Sequence, residues 1–322
     1  MLKKIVVTGS LAYDHIMSMP GRFKDQIMPD KLHILNVSFI MNTFRQEYGG
    51  TGGNIAYTLG LLNTPCLLAA TVGGDFGLYR KHLAKMKNID LKGVKVFKKS
   101  KTARGFVTTD RDDNQIWGFY DGAMRNASKI SLKLYIDRES LLVIAPNDPK
   151  AMMRYVREAI NLKVPYVFDP AFNITHFTHS DLKKAVKYSN ILIGNDYEIT
   201  LVKRRLNLSS KSILKNCHLL VTTLGSEGSR IESEHKVIHV PVAKPENQSD
   251  PTGAGDAFRA GFMAGYVRDL PLRTCGKMGA LTAVYTVEKY GTQTHKFTLS
   301  QFYQRYKENF NNELPELKRL DR

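Results

Sequence analysis

The sequence predicts a three-layer α/β/α domain, a mostly parallel central sheet between helices, with a small β-sheet lid. Three observations carry this. Short β-branched runs at 4–8, 66–72, 141–145, 166–169, 191–194 and 219–223 alternate with amphipathic helical patterns at 51–62, 76–86, 149–162 and 181–188. Strands that alternate with helices in this way form parallel sheets covered on both faces. After Asp250 the pattern is helical, at 253–267, 271–287 and 299–309. Two segments, 11–47 and 102–124, break the rhythm. The second alternates like paired antiparallel strands around Asp112-Asp113-Asn114, and together the two predict the lid. No internal repeat or low-complexity linker interrupts the chain, so residues 1–322 read as one domain.

The first strand opens the chain. Its apolar run stops at Thr8, with Asp14 and His15 soon after, which fits a buried strand better than a leader segment. No stretch approaches 18 uninterrupted apolar residues, so no membrane span is expected. Hydrophobic content of 43% and aromatic content of 10% are those of a globular protein. Lysine and arginine outnumber the acids 47 to 30, a formal charge of +17. These basic residues are scattered, and the densest runs, Lys98-Lys99-Ser100-Lys101 and Lys203-Arg204-Arg205, are short. With no zinc-finger spacing or RNA-binding aromatic motif, a nucleic-acid partner is not expected. Cys66, Cys217 and Cys275 are far apart and odd in number, which predicts free thiols in a cytoplasmic protein.

The chemistry lies in two glycine-rich stretches. "DPTGAGDAF" sets Thr252, Gly253, Ala254 and Gly255 directly before an apolar helical run, with Asp256 in its first turn. Bare N–H groups and the positive helix end would converge there on an anion. An acid at a helix start can be a mere cap. That explains Asp256 but not the bare loop before it. "GGTGGNIA" holds Gly49, Gly50 and Asn54. Its glycines suit either a tight turn or a close approach of backbone to ligand, and Asn54 suits either a helix cap or a ligand contact. It does not directly follow a recognisable strand, and no acid stands where a dinucleotide-binding fold needs one. The GxxxxGK[ST] loop and the HRD-and-DFG pair of protein kinases are absent.

"DPTGAGDAFRAGF" and "GGTGGNIAYTLGLL" resemble, in order and separation, the two signature motifs of the ribokinase (PfkB-type) family of small-molecule kinases. Asn195-Asp196-Tyr197-Glu198 is similar to the family's N-x-x-E element, and "VTTLGSEGS" to its nucleotide-binding strand and turn. Within the family the sequence looks most like bacterial-type adenosine kinases. That likeness runs from "TGSLAYDHIM" through "TARGFVTTD" and "NQIWGFYDGAM" to "GTQ", residues 8 to 293. It implies a ribokinase-like fold and an ATP-dependent kinase acting on the 5′-hydroxyl of a purine ribonucleoside, adenosine first. Another nucleoside such as inosine or guanosine, a free sugar, or a non-catalytic nucleotide-binding regulator stay open.

Each role below is what the resemblance implies. Asp256 would be the catalytic base, and the N–H groups of Gly253, Ala254, Gly255 and Asp256 an anion hole. Asn195 and Glu198 would hold Mg²⁺ through water. Thr223, Gly225 and Gly228, with Asn195 and Thr252, would line the ATP site. Asp14 would accept from two ribose hydroxyls, with Ser10, Gly49, Gly50 and Asn54 completing the sugar pocket. Phe106, Phe119, Phe172 and Asn173 would meet the base. At that end the sequence departs from the pattern: Gly105 replaces the stacking aromatic after "TAR", and Ala171-Phe172-Asn173 replaces glutamines after Asp169-Pro170. The resemblance also implies pairing of two copies through the lid, and a monovalent cation (K⁺) near Gly291, Thr292 and Gln293.

Overall fold

A computed structural model describes residue 2 and residues 4–112 and 114–311. Its strands are, in chain order, β1 (Lys4–Thr8), β2 (Ala12–Ser18), β3 (Thr43–Gly49), β4 (Cys66–Ala69), β5 (Thr71–Gly73), β6 (Ile89–Asp90), β7 (Lys95–Phe97) and β8 (Ala103–Thr109). There follow β9 (Gln115–Tyr120), β10 (Ser140–Ile144), β11 (Tyr166–Phe168), β12 (Ile191–Asn195), β13 (Leu219–Thr223), β14 (Ser229–Glu232) and β15 (Val237–Val240). The helices are α1 (Phe23–Gln26), α2 (Thr51–Leu61), α3 (Gly77–Leu83), α4 (Pro149–Leu162) and α5 (His179–Lys187). The rest are α6 (Asp196–Leu206), α7 (Ser210–Leu214), α8 (Ala254–Tyr266), α9 (Leu272–Val287) and α10 (Leu299–Phe310).

Among the described residues the central sheet has the order β15-β14-β13-β12-β11-β10-β1-β4-β6. It is parallel from β13 to β6, and its antiparallel pairs are β13–β14 and β14–β15. Its inner strands are apolar on both faces because both faces are covered. Ile5, Val7, Leu141 and Val143 point to one side, into a core with Ile55 of α2, Phe258 and Phe262 of α8 and Leu281 of α9. Val6, Leu142 and Ile144 point to the other, against Met152 of α4, Leu182 of α5 and Val202 of α6. Alternate residues of a strand face opposite sides, so the consecutive apolar residues of β1 (Ile5 to Val7) and of β10 (Leu141 to Ile144) feed two cores.

The lid is a separate four-stranded sheet, β3-β2-β8-β9. Its outer pairs are antiparallel, while β2 and β8 run parallel, the long connection between them passing through the main body. The β8–β9 turn is organised by Asp110, whose Oδ1 accepts the N–H groups of Asp112 and Asn114, both at 2.9 Å. Asp113 lies outside the described residues. The run at 66–72 is not the single strand its composition suggests. It divides at Ala70, whose carbonyl accepts the N–H of Lys95 at 2.9 Å, and β5 leaves to pair with β7. The three cysteines are buried and free, and no described helix is long and apolar enough to cross a membrane.

Candidate active site

Open α/β sheets bind ligands beyond the carboxyl ends of their parallel strands, and the candidate residues gather at that edge. β12 ends at Asn195 and β13 at Thr223, while β1 leads through Ser10 into Asp14 on the lid. Helix α8 begins beside them. Its N-cap, Gly253, has φ +80°, and a Cβ there would lie 2.8 Å from Cγ2 of Thr292. Only glycine takes this conformation without strain, and it lets the chain turn straight into the helix. Within the turn the N–H of Thr252 donates to Oδ1 of Asp250 at 2.9 Å, and that of Ala254 to the carbonyl of Pro251 at 3.2 Å. Ala254 has therefore spent the donor expected of it in the anion hole. Gly255 and Asp256 carry first-turn N–H groups for which a helix has no carbonyl of its own.

Asp256 accepts a hydrogen bond at Oδ2 from Nδ2 of Asn54, at 2.8 Å. Burial pushes its carboxyl up to about 6, opposed by the Arg259 guanidinium one turn along and by the Asn54 bond. A group so placed is mostly ionised at neutral pH yet basic enough to accept a proton. Asp14 faces Glu47 across β3 and Gly105 across β8. Burial, with Asp256, Glu47 and Asp250 around it, also raises its carboxyl to about 6. The acid fits because its neighbours lack side chains: a Cβ on Gly49 would collide with Oδ2, and one on Gly105 would approach Oδ1 to 2.7 Å.

Two cavities adjoin at the loop that leads into α8. One, of about 700 Å³, lies between the Asp14 face of the lid and residues 248–252 and 290–292, and Trp117 forms part of its wall. The other, of about 420 Å³, is lined by Thr223, Gly225, Gly228 and Gly255, with apolar side chains of α9 behind. Gln248 and Pro251 line both. The loop before α8 thus separates a polar cleft under the lid from an apolar slot on the main domain.

Comparison with known proteins accounts for this layout. Residues 3–298 match the pfkB family of carbohydrate kinases. The chain belongs to that family. It is 32% identical over 296 residues to a nucleoside kinase of Methanothermobacter thermautotrophicus, covering 91% of this chain and 92% of the relative. It is 30% identical over 298 residues to the nucleoside kinase of Methanocaldococcus jannaschii, covering 91% and 93%. The solved nucleoside kinase of Burkholderia thailandensis in complex with inosine superposes with a TM-score of 0.86 at 30% identity, covering 96% of this chain and 99% of the other. The same enzyme has been solved in complex with ADP-inosine, with a TM-score of 0.84, 30% identity and coverage of 96% and 97%. This pfkB-family chain therefore has the ribokinase-like fold and is a phosphotransferase with an alcohol acceptor.

Several expected site residues of this family member sit elsewhere. Ser10 Oγ accepts the N–H of Thr51 at 3.1 Å, capping α2, and lines neither cavity. Gly50, with φ +87°, makes the chain reversal that brings α2 in beside it. Phe119 stands across from Gly105, on the Asp14 face of the lid. Phe106 faces the opposite side, its ring stacked on His15 with centroids 4.9 Å apart. Asn173 is 2% exposed and donates to the carbonyl of Asn147 at 2.8 Å, so its amide serves the fold; Phe172 is exposed on the turn Ala171–His176 and lines neither cavity. Asn195 and Glu198 form a capping box on α6, each side chain accepting the other's N–H at 2.8 Å.

Sequence reasoning missed Arg259 and Asp169. Nη2 of Arg259 donates to Oδ1 of Asp169 at 2.9 Å and lies 3.6 Å from Oε2 of Glu198. Burial pushes the Asp169 carboxyl up to about 7 even beside that guanidinium. A signal was present, since Arg259 follows Asp256 by one helical turn and so shares its face.

Proposed function

We propose that the chain transfers the γ-phosphoryl group of ATP to the 5′-hydroxyl of a purine ribonucleoside. The observation that carries this reading is that the two cavities adjoin at Gln248 and Pro251, in the loop that leads into α8 and Asp256. In this reading the apolar slot takes ATP and the cleft under the lid takes the nucleoside, its ribose diol on Asp14. The nucleoside kinases named above, and the complexes of one of them with inosine and with ADP-inosine, support both assignments. Adenosine is the acceptor first expected from the sequence, and inosine is the rival to set beside it.

The chemistry then follows from the residues. The 5′-oxygen attacks the γ-phosphorus, the bond from that phosphorus to the β–γ bridging oxygen breaks, and the hydroxyl proton passes to Asp256. The N–H groups of Gly255 and Asp256 face the charge that gathers on the transferring group. Glu198 and Asn195 supply hard oxygen donors, and among the described residues no cluster of three or more acidic, histidine or cysteine ligands competes with them. That set suits Mg²⁺ held largely through its own waters, where it would neutralise phosphate charge. A monovalent cation fits the same reading beside Asp250, whose Oδ2 accepts the N–H of Gly291 at 3.2 Å. Pairing of two copies is supported by the outer lid face, where Phe44, Phe106 and Ile116 are exposed together.

The test is turnover of adenosine, inosine, guanosine, ribose and fructose with ATP and Mg²⁺, repeated with Asp256→Asn. A nucleoside is the expected best acceptor, and the substitution is expected to lower kcat by roughly two to four orders of magnitude. Preference for a free sugar with no nucleoside turnover would refute the acceptor. ATP binding without any turnover would make the chain a regulator instead.

A further inference from the structure

Behind the Asn54–Asp256 bond runs a chain of hydrogen bonds whose direction is set at its far end. The carbonyl of Gly49 can only accept, and the hydroxyl of Tyr79 donates to it at 2.8 Å. With its proton committed, Tyr79 has only lone pairs to offer Gln293, whose Nε2 donates to it. The same Nε2 has a second hydrogen, and this one goes to Oδ1 of Asn54 at 2.9 Å. Asn54 then has its amide nitrogen on the other side, donating to Oδ2 of Asp256 at 2.8 Å.

This sense matters because the two ends of an asparagine amide have nearly the same shape. Turned over, Asn54 would set an oxygen against the Asp256 carboxylate, two acceptors face to face, and its nitrogen against that of Gln293. The hydroxyl of Thr292 cannot decide between the two. It lies 2.8 Å from Oδ1 of Asn54 and 2.9 Å from the carbonyl of Tyr48, with one proton to give. Gln293 is 3% exposed and Asn54 5%, so neither partner is open to bulk solvent. A Cβ on Gly53 would collide with the Tyr79 hydroxyl, which keeps α2 pressed against this chain.

We propose that Gln293 is a positioning residue that acts through Asn54, holding the amide so that one oxygen of Asp256 is occupied by N–H and the other is left for the acceptor hydroxyl. The proposal rests on Asp256 being the base, and deepens that reading.

A double-mutant cycle tests it, using the best acceptor among adenosine, inosine and guanosine with ATP and Mg²⁺. Gln293→Met keeps the length of the side chain and removes its N–H groups. It is expected to lower kcat about tenfold or more while KM for ATP stays within about twofold. In an Asn54→Ala background the same change is expected to have almost no further effect, because its route to Asp256 is already gone. Losses that multiply in the double variant, or an unchanged kcat in Gln293→Met, overturn the proposal. If Gln293→Met does not fold, Tyr79→Phe, which removes the hydroxyl that holds Gln293, is put through the same cycle and read in the same way. Asp256→Asn is run alongside. If it retains turnover, the base assignment itself has failed; if it is inactive while the cycle shows independent losses, only the role of Gln293 has.

Discussion

Gly105 stands directly opposite Asp14 in the lid sheet, and a Cβ at residue 105 would come within 2.7 Å of Oδ1 of that acid and 3.2 Å of the Trp117 ring. By what it leaves out, the glycine makes room for the Asp14 carboxylate on the cleft side of the lid. Gly105→Ala is expected to raise KM for the nucleoside about tenfold, as overpacking by one methyl costs about 1–3 kcal/mol. KM for ATP should not move, since residue 105 is on the lid. Equal losses for both substrates in steady-state kinetics would refute this account.

Asp14 carries a cost that only the ionised acid incurs. Its carboxyl titrates at about 6 in the folded chain, against 3.8 ordinarily, because burial and the neighbouring acids oppose its charge. The folded state therefore holds a proton there that the unfolded chain has released, and stability falls as pH rises from about 4 through 6. Asp14→Asn is expected to raise Tm at pH 8 and to lose that advantage as pH is lowered to 4, while abolishing nucleoside binding. A thermal-shift series across pH checks the sign.

Trp117 is the only tryptophan in the chain, and it stands in the wall of the cleft under the lid. Its indole N–H donates to Oε1 of Gln115 at 3.0 Å, which holds the ring. A purine entering this cleft should change its emission more than ribose, which has no aromatic ring to stack on the indole. Fluorescence titration with inosine, adenosine and ribose measures the difference directly.

Arg259 holds a buried charge in balance. Removing it as Arg259→Met leaves Asp169, 1% exposed, without its partner, and breaking such a pair costs about 3–5 kcal/mol. A large fall in Tm is expected. The double replacement of Arg259→Met with Asp169→Leu should be milder than the single one, because the most deeply buried carboxylate leaves together with its guanidinium. Chemical denaturation of the two variants beside the unaltered protein ranks them.

The kinase motif was readable because its physics is local. Positive φ at Gly253, a bare turn and an acid in the first helical turn all lie within five residues of sequence. The sheet was readable for a similar reason, since its inner strands are apolar at every position. What escaped was the commitment of polar groups to distant or hidden partners. Ser10 and Asn173 have the side chains of ligand contacts, yet nearby backbone claims them first. The parity of Phe106, by contrast, was legible: as a strand residue one step after Gly105 it points away from Asp14. The link from Gln293 to Asn54 spans 239 residues, and no window along the sequence contains both.

The bond from Asn54 to Asp256 joins residues 202 apart, and helices α2 and α8 pack side by side because of pairings of this reach. A chain emerging from the ribosome has its lid strands and most of its central sheet before it has a base. Loop-closure entropy for so long a separation must be overcome late, after the local units have formed. The nascent protein can therefore have its lid strands in place while the cleft beneath them still lacks a wall, because residues 248–252 and 290–292 arrive with the last part of the chain.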